Sequence, residues 1–155
     1  MFIRSVKMKR PWLWAALLTA LLAAAVFFSV KAAAGKPQMA YVMETEAQRQ
    51  SFIADMGWET EDQYSSKRAV TIPEEWNEVY EDYNSLQKQQ GFDLTKYKGK
   101  EVEIYTYPVL NYPGHTDKEC MQLTLMVCAG ELIGGDVCCT ELDGFMQGLR
   151  NPDRS

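Results

Sequence analysis

The chain has 155 residues, with 16 lysines and arginines against 21 aspartates and glutamates, and it contains one histidine and four cysteines. The formal net charge of −5 argues against a nucleic-acid partner, because such partners are held mainly by basic side chains. All acidic residues follow Met43 and five basic residues precede Gly35, so the chain from Gly35 onward carries a net charge of −10 and repels anionic lipid headgroups as well.

The first predicted element is a transmembrane helix at residues 11–31, behind a basic segment at residues 1–10. The uncharged run from Pro11 to Val30 would extend about 30 Å as a helix, enough to cross the hydrocarbon core of a bilayer. Four cations before the run predict a cytoplasmic N-terminus and an extracytoplasmic remainder. Ala34 is placed like the last residue of a signal peptide, so secretion after cleavage there is the alternative.

The remainder is predicted to form a linker at residues 32–43, one domain at residues 44–150 and a tail at residues 151–155. A first helix is predicted at residues 44–56, because Thr45 and Gln48 have the spacing of a capping box. Gly57 supplies the left-handed residue that ends many helices, and Trp58 is then placed to fold back onto the helix. Trp58 is therefore assigned a structural role.

A second helix is predicted at residues 73–90. Pro73 suits a first helical turn, and Gly91 suits the residue after the helix. The apolar residues of this segment recur at three-and-four spacing, which predicts a single buried face. That face comprises Trp76, Val79, Tyr80, Tyr83 and Leu86. Trp76 is the second tryptophan that is assigned a structural role.

After residue 100 the apolar period changes to two, which predicts an antiparallel sheet. Residues 101–107 and residues 121–127 alternate in this way, and a weaker strand signal lies at residues 69–72. Ala129-Gly130 is predicted to be a two-residue hairpin turn into a strand at residues 131–138. The fold class is thus α+β, with two helices packed on an antiparallel sheet of three or four strands.

The predicted hairpin requires an irregularity. In a regular register Leu123 would face Asp136, which would place a carboxylate on the core face. One extra residue at Gly134-Gly135 brings Val137 opposite Leu123 instead, and paired glycines in a strand suit a β-bulge. We therefore predict a bulge at Gly134 and Gly135, which gives both glycines a structural role.

The four cysteines all lie in the predicted extracytoplasmic domain, where disulfides can form. They are Cys120, Cys128, Cys138 and Cys139. The predicted bulge places Cys120 and Cys139 on a diagonal that a disulfide spans poorly, which favours thiols over a bridge. A tetrahedral zinc site is not expected, because Cys120 and Cys128 stand at opposite ends of one strand. A smaller site of His115, Asp117 and Cys120 matches no strong ligand pattern, so neither a metal nor a cofactor is predicted.

No catalytic constellation is predicted. The chain lacks a phosphate-binding loop, a dinucleotide fingerprint, a hydrolase elbow and a metalloprotease helix. A nucleophilic cysteine would need the only histidine, His115, as its base, and a dyad of Cys120 and His115 has no further support. An aromatic stretch, taken to be exposed, is instead the candidate contact surface. The candidate binding residues are Tyr105, Tyr107, Tyr112 and His115.

Several short sequence blocks in the C-terminal half, each present once and in a characteristic order, resemble those of a known family. They include QGFDL at residues 90–94, YKGK at residues 97–100, NYP at residues 111–113 and IGGDVC at residues 133–138. Together they resemble an uncharacterised family of clostridial and related Gram-positive proteins, the domain of unknown function 4830. The resemblance implies one N-terminal membrane helix, and it implies no activity, ligand or catalytic residue.

These observations favour a single-pass, membrane-anchored protein whose extracytoplasmic domain binds a protein or a ligand without catalysis. Besides the membrane, the expected partner is another protein of the cell envelope. The alternative function is an exported thiol-dependent enzyme or redox protein that uses Cys120, Cys138 or Cys139.

Overall fold

The computed structural model describes residues 40–115 and 120–153, and it forms an α+β domain there, as predicted. In chain order the elements are α1 (Glu46–Asp55), β1 (Ser66–Thr71), α2 (Glu78–Gln89), a 3₁₀ helix (Leu94–Tyr97), β2 (Glu101–Pro108), β3 (Met121–Cys128), β4 (Glu131–Cys139) and β5 (Met146–Gln147). All strand pairs are antiparallel, and the strands lie in the order β1-β2-β3-β4-β5.

The sheet has five strands rather than the predicted three or four. The additional strand β5 has only two residues, which pair with Val137 and Cys138 and are too few to produce a recognisable alternation. The predicted transmembrane helix at residues 11–31 lies outside the described residues. Within the described ranges, no helix is both long and apolar enough to cross a membrane.

Helix α1 begins and ends as the local signals predict. The Thr45 side chain accepts a hydrogen bond from the Gln48 N–H, and the Gln48 side chain accepts one from the Thr45 N–H, which completes the capping box. Gly57 has a φ of 94°, and the Trp58 N–H donates to the Ile53 carbonyl at 3.1 Å. This Schellman ending turns Trp58 back into the core beside Ile53.

Helix α2 begins at Glu78 rather than at Pro73. Asn77 is the N-cap, and its side chain accepts a hydrogen bond from the Tyr80 N–H. Pro73 lies before the helix, where its carbonyl accepts a hydrogen bond from the Trp76 indole at 2.8 Å. The asparagine therefore provides the start signal. Its side chain accepts a hydrogen bond from a free N–H group of the first turn, and a proline side chain has no acceptor for such a bond.

The face of α2 that packs on the sheet is partly polar. Val79 is 71% exposed and Tyr80 is 43% exposed, so the predicted apolar face is wrong at its N-terminal end. Gln87 is buried instead, and its Oε1 accepts a hydrogen bond from the Gly135 N–H at 2.9 Å. The Gln90 Nε2 donates to the Gly135 carbonyl at 3.0 Å. The side-chain amides of Gln87 and Gln90 thus form the hydrogen bonds that the backbone of a neighbouring strand would otherwise form with Gly135 at this edge of β4.

The β3–β4 hairpin has the predicted turn and nearly the predicted bulge. Ala129 and Gly130 have φ angles of 49° and 80°, the combination found in a type I′ turn. The predicted pairing of Leu123 with Val137 is confirmed. The extra residue is Ile133, immediately before the glycine pair rather than within it, and Ile133 is fully buried there.

Each face of the sheet carries a hydrophobic core, because alternate strand residues point to opposite sides. Phe52 and Ile53 of α1 pack on the first face with Leu123 and Leu125 of β3. Met126 of β3 belongs to the second core, which Tyr83 of α2 and Leu94 of the 3₁₀ helix cover. All described residues belong to one compact unit within residues 38–155.

Candidate functional site

A groove of about 350 Å³ opens between the end of α1, the end of α2 and the segment after β5. Its apolar walls are formed by Tyr41, Phe52, Met56, Phe92 and Leu149, and its polar lining includes Gln89, Gln90 and Arg150. A cavity of this size with mostly apolar walls and a few polar groups has the character of a small-molecule site.

Hydrogen bonds between separate segments hold the groove in shape. The Trp58 indole donates to the Leu149 carbonyl at 2.6 Å, and the Leu149 N–H donates to the Gln90 side chain at 2.6 Å. The Asn151 N–H donates to the Met56 carbonyl at 2.9 Å. Leu149 is consequently held on both sides, and these hydrogen bonds fix the floor of the groove.

Arg150 gives the groove a positive charge at its edge. Its side chain is exposed, and among the described residues the only ion pairs join Arg49 to Glu46 and Lys67 to Glu103. A guanidinium group can bind a carboxylate with two parallel hydrogen bonds. The groove therefore offers an apolar cavity and, next to it, an anion-binding group.

Two of the sequence-predicted contact residues lie in the core. Tyr105 is 4% exposed and Tyr107 is fully buried, so the prediction that they are exposed is wrong. The Tyr107 hydroxyl donates to Glu46 at 2.9 Å and accepts from the Arg49 Nε at 3.0 Å. Burial, and then the Glu46 carboxylate, raises the pKa of Tyr107. The alternation in β2 showed that these tyrosines share a face, but it did not show that α1 covers that face.

Tyr112 and His115 are partly exposed and belong to an aromatic cluster. The Tyr112 ring stacks on Trp58 with the centroids 5.4 Å apart. Phe145 contacts both Tyr112 and His115, at centroid distances of 5.4 and 6.0 Å. The Tyr112 hydroxyl donates to Gln147 of β5 at 2.8 Å. The loop after β2 is thus fixed against the C-terminal end of α1 and the strand β5.

His115 also lies beside two cysteines. The Sγ atoms of Cys120 and Cys139 are 3.2 Å apart, and His115 and Glu141 each offer a ligand atom within 4.8 Å of them and of one another. The expectation that the bulge separates the two cysteines is wrong, because their sulfur atoms are in contact even though Cys139 pairs with Met121 and not with Cys120. Asp117, a member of the smaller metal site that the sequence did not favour, lies outside the described residues.

Cys138 is poorly suited to nucleophilic catalysis. Burial, and then the charge of Asp136, raises the pKa of the Cys138 thiol to about 11, so the reactive thiolate is scarce at neutral pH. Asp136 is itself buried beneath α2, where it accepts a hydrogen bond from the Tyr83 hydroxyl at 2.8 Å. Thiol chemistry therefore stays a prediction only for the pair of Cys120 and Cys139.

The residues with assigned structural roles lie at close packing contacts. A Cβ atom on Gly134 would lie 2.9 Å from the Gln87 Oε1, and one on Gly135 would overlap the Thr124 carbonyl. Trp76 is half-buried, and the Lys98 ammonium lies 4.3 Å from the centroid of its ring.

Sequence reasoning missed the groove. Tyr41 falls within the predicted linker, and Arg150 is the last residue of the predicted domain. No local signal identifies these residues, since the groove exists only where three distant segments meet. The cysteine cluster did have a sequence signal. Cys139 and Glu141 are two residues apart at the end of β4, and β4 pairs with β3, the strand that begins directly after Cys120.

Comparison with known proteins identifies one family. The model of a family described as a domain of unknown function (DUF4830) matches residues 52–137, more than half of the chain. No curated protein and no solved structure matches the chain. The matched range contains the sheet as far as Val137, whereas Leu149 and Arg150 of the groove lie beyond it.

Proposed function

The chain belongs to the family described as a domain of unknown function (DUF4830), and since that description names no activity, we propose a function from the geometry alone. The domain is a non-catalytic binding domain whose ligand has an apolar body and a terminal carboxylate. The observation that carries the proposal is the groove, held by hydrogen bonds between separate segments, with Arg150 at its edge.

The walls and the charge of the groove define the class of ligand. Phe52, Phe92 and Leu149 offer an apolar surface that an aromatic or branched aliphatic group would cover, with a gain of about 25 cal/mol for each Å² removed from water. Arg150 would bind the carboxylate of the same ligand, at a position where the apolar group still reaches the cavity. A free carboxylic acid and the C-terminal residue of an envelope protein both present this combination of groups.

The proposal also places the domain outside the cytoplasm, anchored by residues 11–31. It rests on the length of the uncharged run and on the cations before it. The test is the mass of the protein recovered from membranes after an alkaline carbonate wash. A full-length mass supports the anchor, whereas an N-terminus at Gly35 and release into the medium would show that the segment is a cleaved signal peptide.

The ligand class is tested with the full-length chain in lipid nanodiscs, with empty nanodiscs as the background. Ligand-observed NMR would measure binding of 4-phenylbutyrate, its neutral amide, and a pentapeptide that ends in a free phenylalanine carboxylate. We expect the acid to bind at least about tenfold more tightly than the amide, because the charged hydrogen bond to Arg150 contributes more than about 1.4 kcal/mol. Tighter binding of the peptide than of the acid would identify a protein C-terminus as the source.

Two variants link binding to the groove. Arg150→Gln should remove the preference for the acid over the amide, and the matched control Arg68→Gln, on the exposed strand β1, should preserve it. Gln89→Trp should fill the groove and reduce binding of both compounds, whereas Lys88→Trp on the adjacent exposed position should not. Wild-type binding by both Arg150→Gln and Gln89→Trp would exclude the groove as the site.

A further inference from the structure

We propose that His115, Cys120, Cys139 and Glu141 bind one zinc ion. This site is separate from the groove and does not depend on the function proposed for it. The four residues come from the loop after β2, the residue before β3, the last residue of β4 and the loop that follows β4. An ion bound by all four would join two loops at the same end of the sheet.

The distances between the possible ligand atoms are close to those of a tetrahedral zinc site, and small side-chain rotations would bring them into its range. Zinc bonds of about 2.0–2.3 Å to nitrogen, oxygen and sulfur place the ligand atoms roughly 3.3–3.8 Å from one another. The Sγ atoms of Cys120 and Cys139 are 3.2 Å apart, and the Cys139 Sγ lies 3.9 Å from the Glu141 Oε2. All four possible ligand atoms lie within 4.8 Å of one another, so an ion needs only small rotations of the side chains.

The ligand types favour zinc over the hard cations. Two thiolates and one imidazole suit zinc and other ions that accept sulfur and nitrogen, whereas calcium and magnesium require oxygen ligands. The two cysteines are buried and Glu141 is exposed, so the sulfurs are shielded while the carboxylate can exchange with water. A site with two thiolates and one carboxylate leaves a net charge of −1 on the zinc complex, and its formation releases the two thiol protons.

The surroundings of His115 support its role as a ligand. Its Nδ1 lies 3.3 Å from the Pro113 carbonyl oxygen. A hydrogen bond from Nδ1–H to that carbonyl selects the tautomer whose Nε2 carries a lone pair, which is the usual arrangement of a zinc-bound histidine. The rings of Tyr112 and Phe145 pack against the imidazole at centroid distances of 5.4 and 6.0 Å and restrict its orientation.

A disulfide between Cys120 and Cys139 is the competing state. Their sulfur separation of 3.2 Å exceeds the bonded distance of about 2.05 Å, so the structure has the two thiols in contact and not bonded. A disulfide would remove both thiolates and abolish zinc binding. The two states are distinguished by counting thiols before and after reduction.

The first experiment uses the full-length chain in nanodiscs, reduced with a phosphine that is then removed without oxygen. Titration with Co²⁺ should give a thiolate-to-cobalt charge-transfer band and intense visible absorption, typical of a tetrahedral ion, that reach saturation at one equivalent. One equivalent of Zn²⁺ should abolish both signals. A reduced protein with four titratable thiols and no stoichiometric cobalt spectrum would overturn the proposal.

Variants assign the ligands, with the neighbouring cysteine as the matched control. Cys120→Ser and Cys139→Ser should weaken zinc binding at least about 100-fold, and His115→Gln and Glu141→Gln should weaken it by about tenfold or more. Cys138→Ser should bind as the wild type does. Equal loss in Cys138→Ser and Cys139→Ser would show that the assigned ligands are wrong.

A measurement on the wild type is independent of whether the variants fold. Zn²⁺ should slow alkylation of Cys120 and Cys139 by iodoacetamide at least about tenfold, with Cys128 unchanged, as mapped by mass spectrometry. Protein isolated with a disulfide between Cys120 and Cys139 should bind zinc only after reduction. Zinc binding by the disulfide form, or no protection of the two thiols, would overturn the proposal.

Discussion

Arg49 is 5% exposed, and its buried guanidinium group has several interaction partners. It donates to Glu46 at 2.8 Å, to the Tyr107 hydroxyl at 3.0 Å and to the Met43 carbonyl at 2.7 Å, and its guanidinium lies 4.0 Å from the centroid of the Tyr105 ring. The net contribution of such a network to stability is small, because desolvation offsets the attraction. Its removal is costly, because the remaining polar groups stay buried without partners.

Arg49→Met should therefore lower the free energy of unfolding by about 3 kcal/mol or more. Tyr107→Phe should lower it by about 1–2 kcal/mol, since the salt bridge between Arg49 and Glu46 survives. Urea unfolding followed by tryptophan fluorescence measures both. Arg68→Met, at an exposed position of β1, is the control and should change stability by less than about 0.5 kcal/mol. Equal effects at positions 49 and 68 would contradict this account of Arg49.

Asp136 provides a second prediction for a single residue, concerning pH. Burial raises the pKa of Asp136 above its unfolded value of about 3.9, although Tyr83 and Cys138 donate hydrogen bonds that oppose the shift. Between the unfolded and folded pKa values the folded state binds more protons, so the free energy of unfolding falls as the pH rises through that window. Asp136→Asn should remove this fall and be at least as stable as the wild type at neutral pH.

The measurement for Asp136→Asn is urea unfolding from pH 3.5 to pH 7.5. The result is expressed as the difference in the free energy of unfolding between variant and wild type. The difference isolates Asp136 from the other titrating carboxylates. The asparagine still accepts the hydrogen bond from Tyr83, so no buried hydroxyl is left without a partner. A difference that does not change with pH would refute the raised pKa of Asp136.

At the scale of elements, local signals determined what could be predicted. The capping box and Gly57 fixed α1, and the alternation at residues 101–107 fixed β2, because both patterns act within a few residues. The polar part of the buried face of α2 could not be predicted, since Gln87 is buried where it accepts a hydrogen bond from the Gly135 backbone across the fold. Apolar periodicity does not indicate such a contact.

The turn at residues 129–130 gives a prediction at this scale. Ala129 has a φ of 49°, a left-handed conformation that costs an alanine about 1–2 kcal/mol and that asparagine adopts more easily. Ala129→Asn should raise the free energy of unfolding by about 0.5–1 kcal/mol, measured by urea unfolding. Gly130→Ala should do the reverse, since Gly130 has a φ of 80°. Destabilisation by Ala129→Asn would contradict the turn type.

At the scale of the whole molecule, both candidate sites form where segments distant in sequence meet. The groove joins residues near 41, 92 and 149, and the proposed zinc site joins His115 and Cys120 to Cys139 and Glu141. Pairing arguments placed β3 beside β4 in the correct register, yet they misjudged Cys120, because its Sγ atom contacts that of Cys139 although Cys139 pairs with Met121. The sequence could thus predict the sheet but not the convergence of loops at its ends.

The last prediction follows from that convergence. A zinc ion that joins the loop after β2 to the loop after β4 binds only the folded chain, so it should stabilise the whole domain. At a free zinc concentration 100 times the Kd the gain is about 2.7 kcal/mol, which corresponds to a rise in Tm on the order of 10 °C. Calorimetry of the reduced full-length chain in nanodiscs would measure the rise, and a chelator should reverse it. The double variant Cys120→Ser, Cys139→Ser should melt at the same temperature with and without zinc. An equal zinc-induced shift in that variant would show that the stabilisation comes from another site.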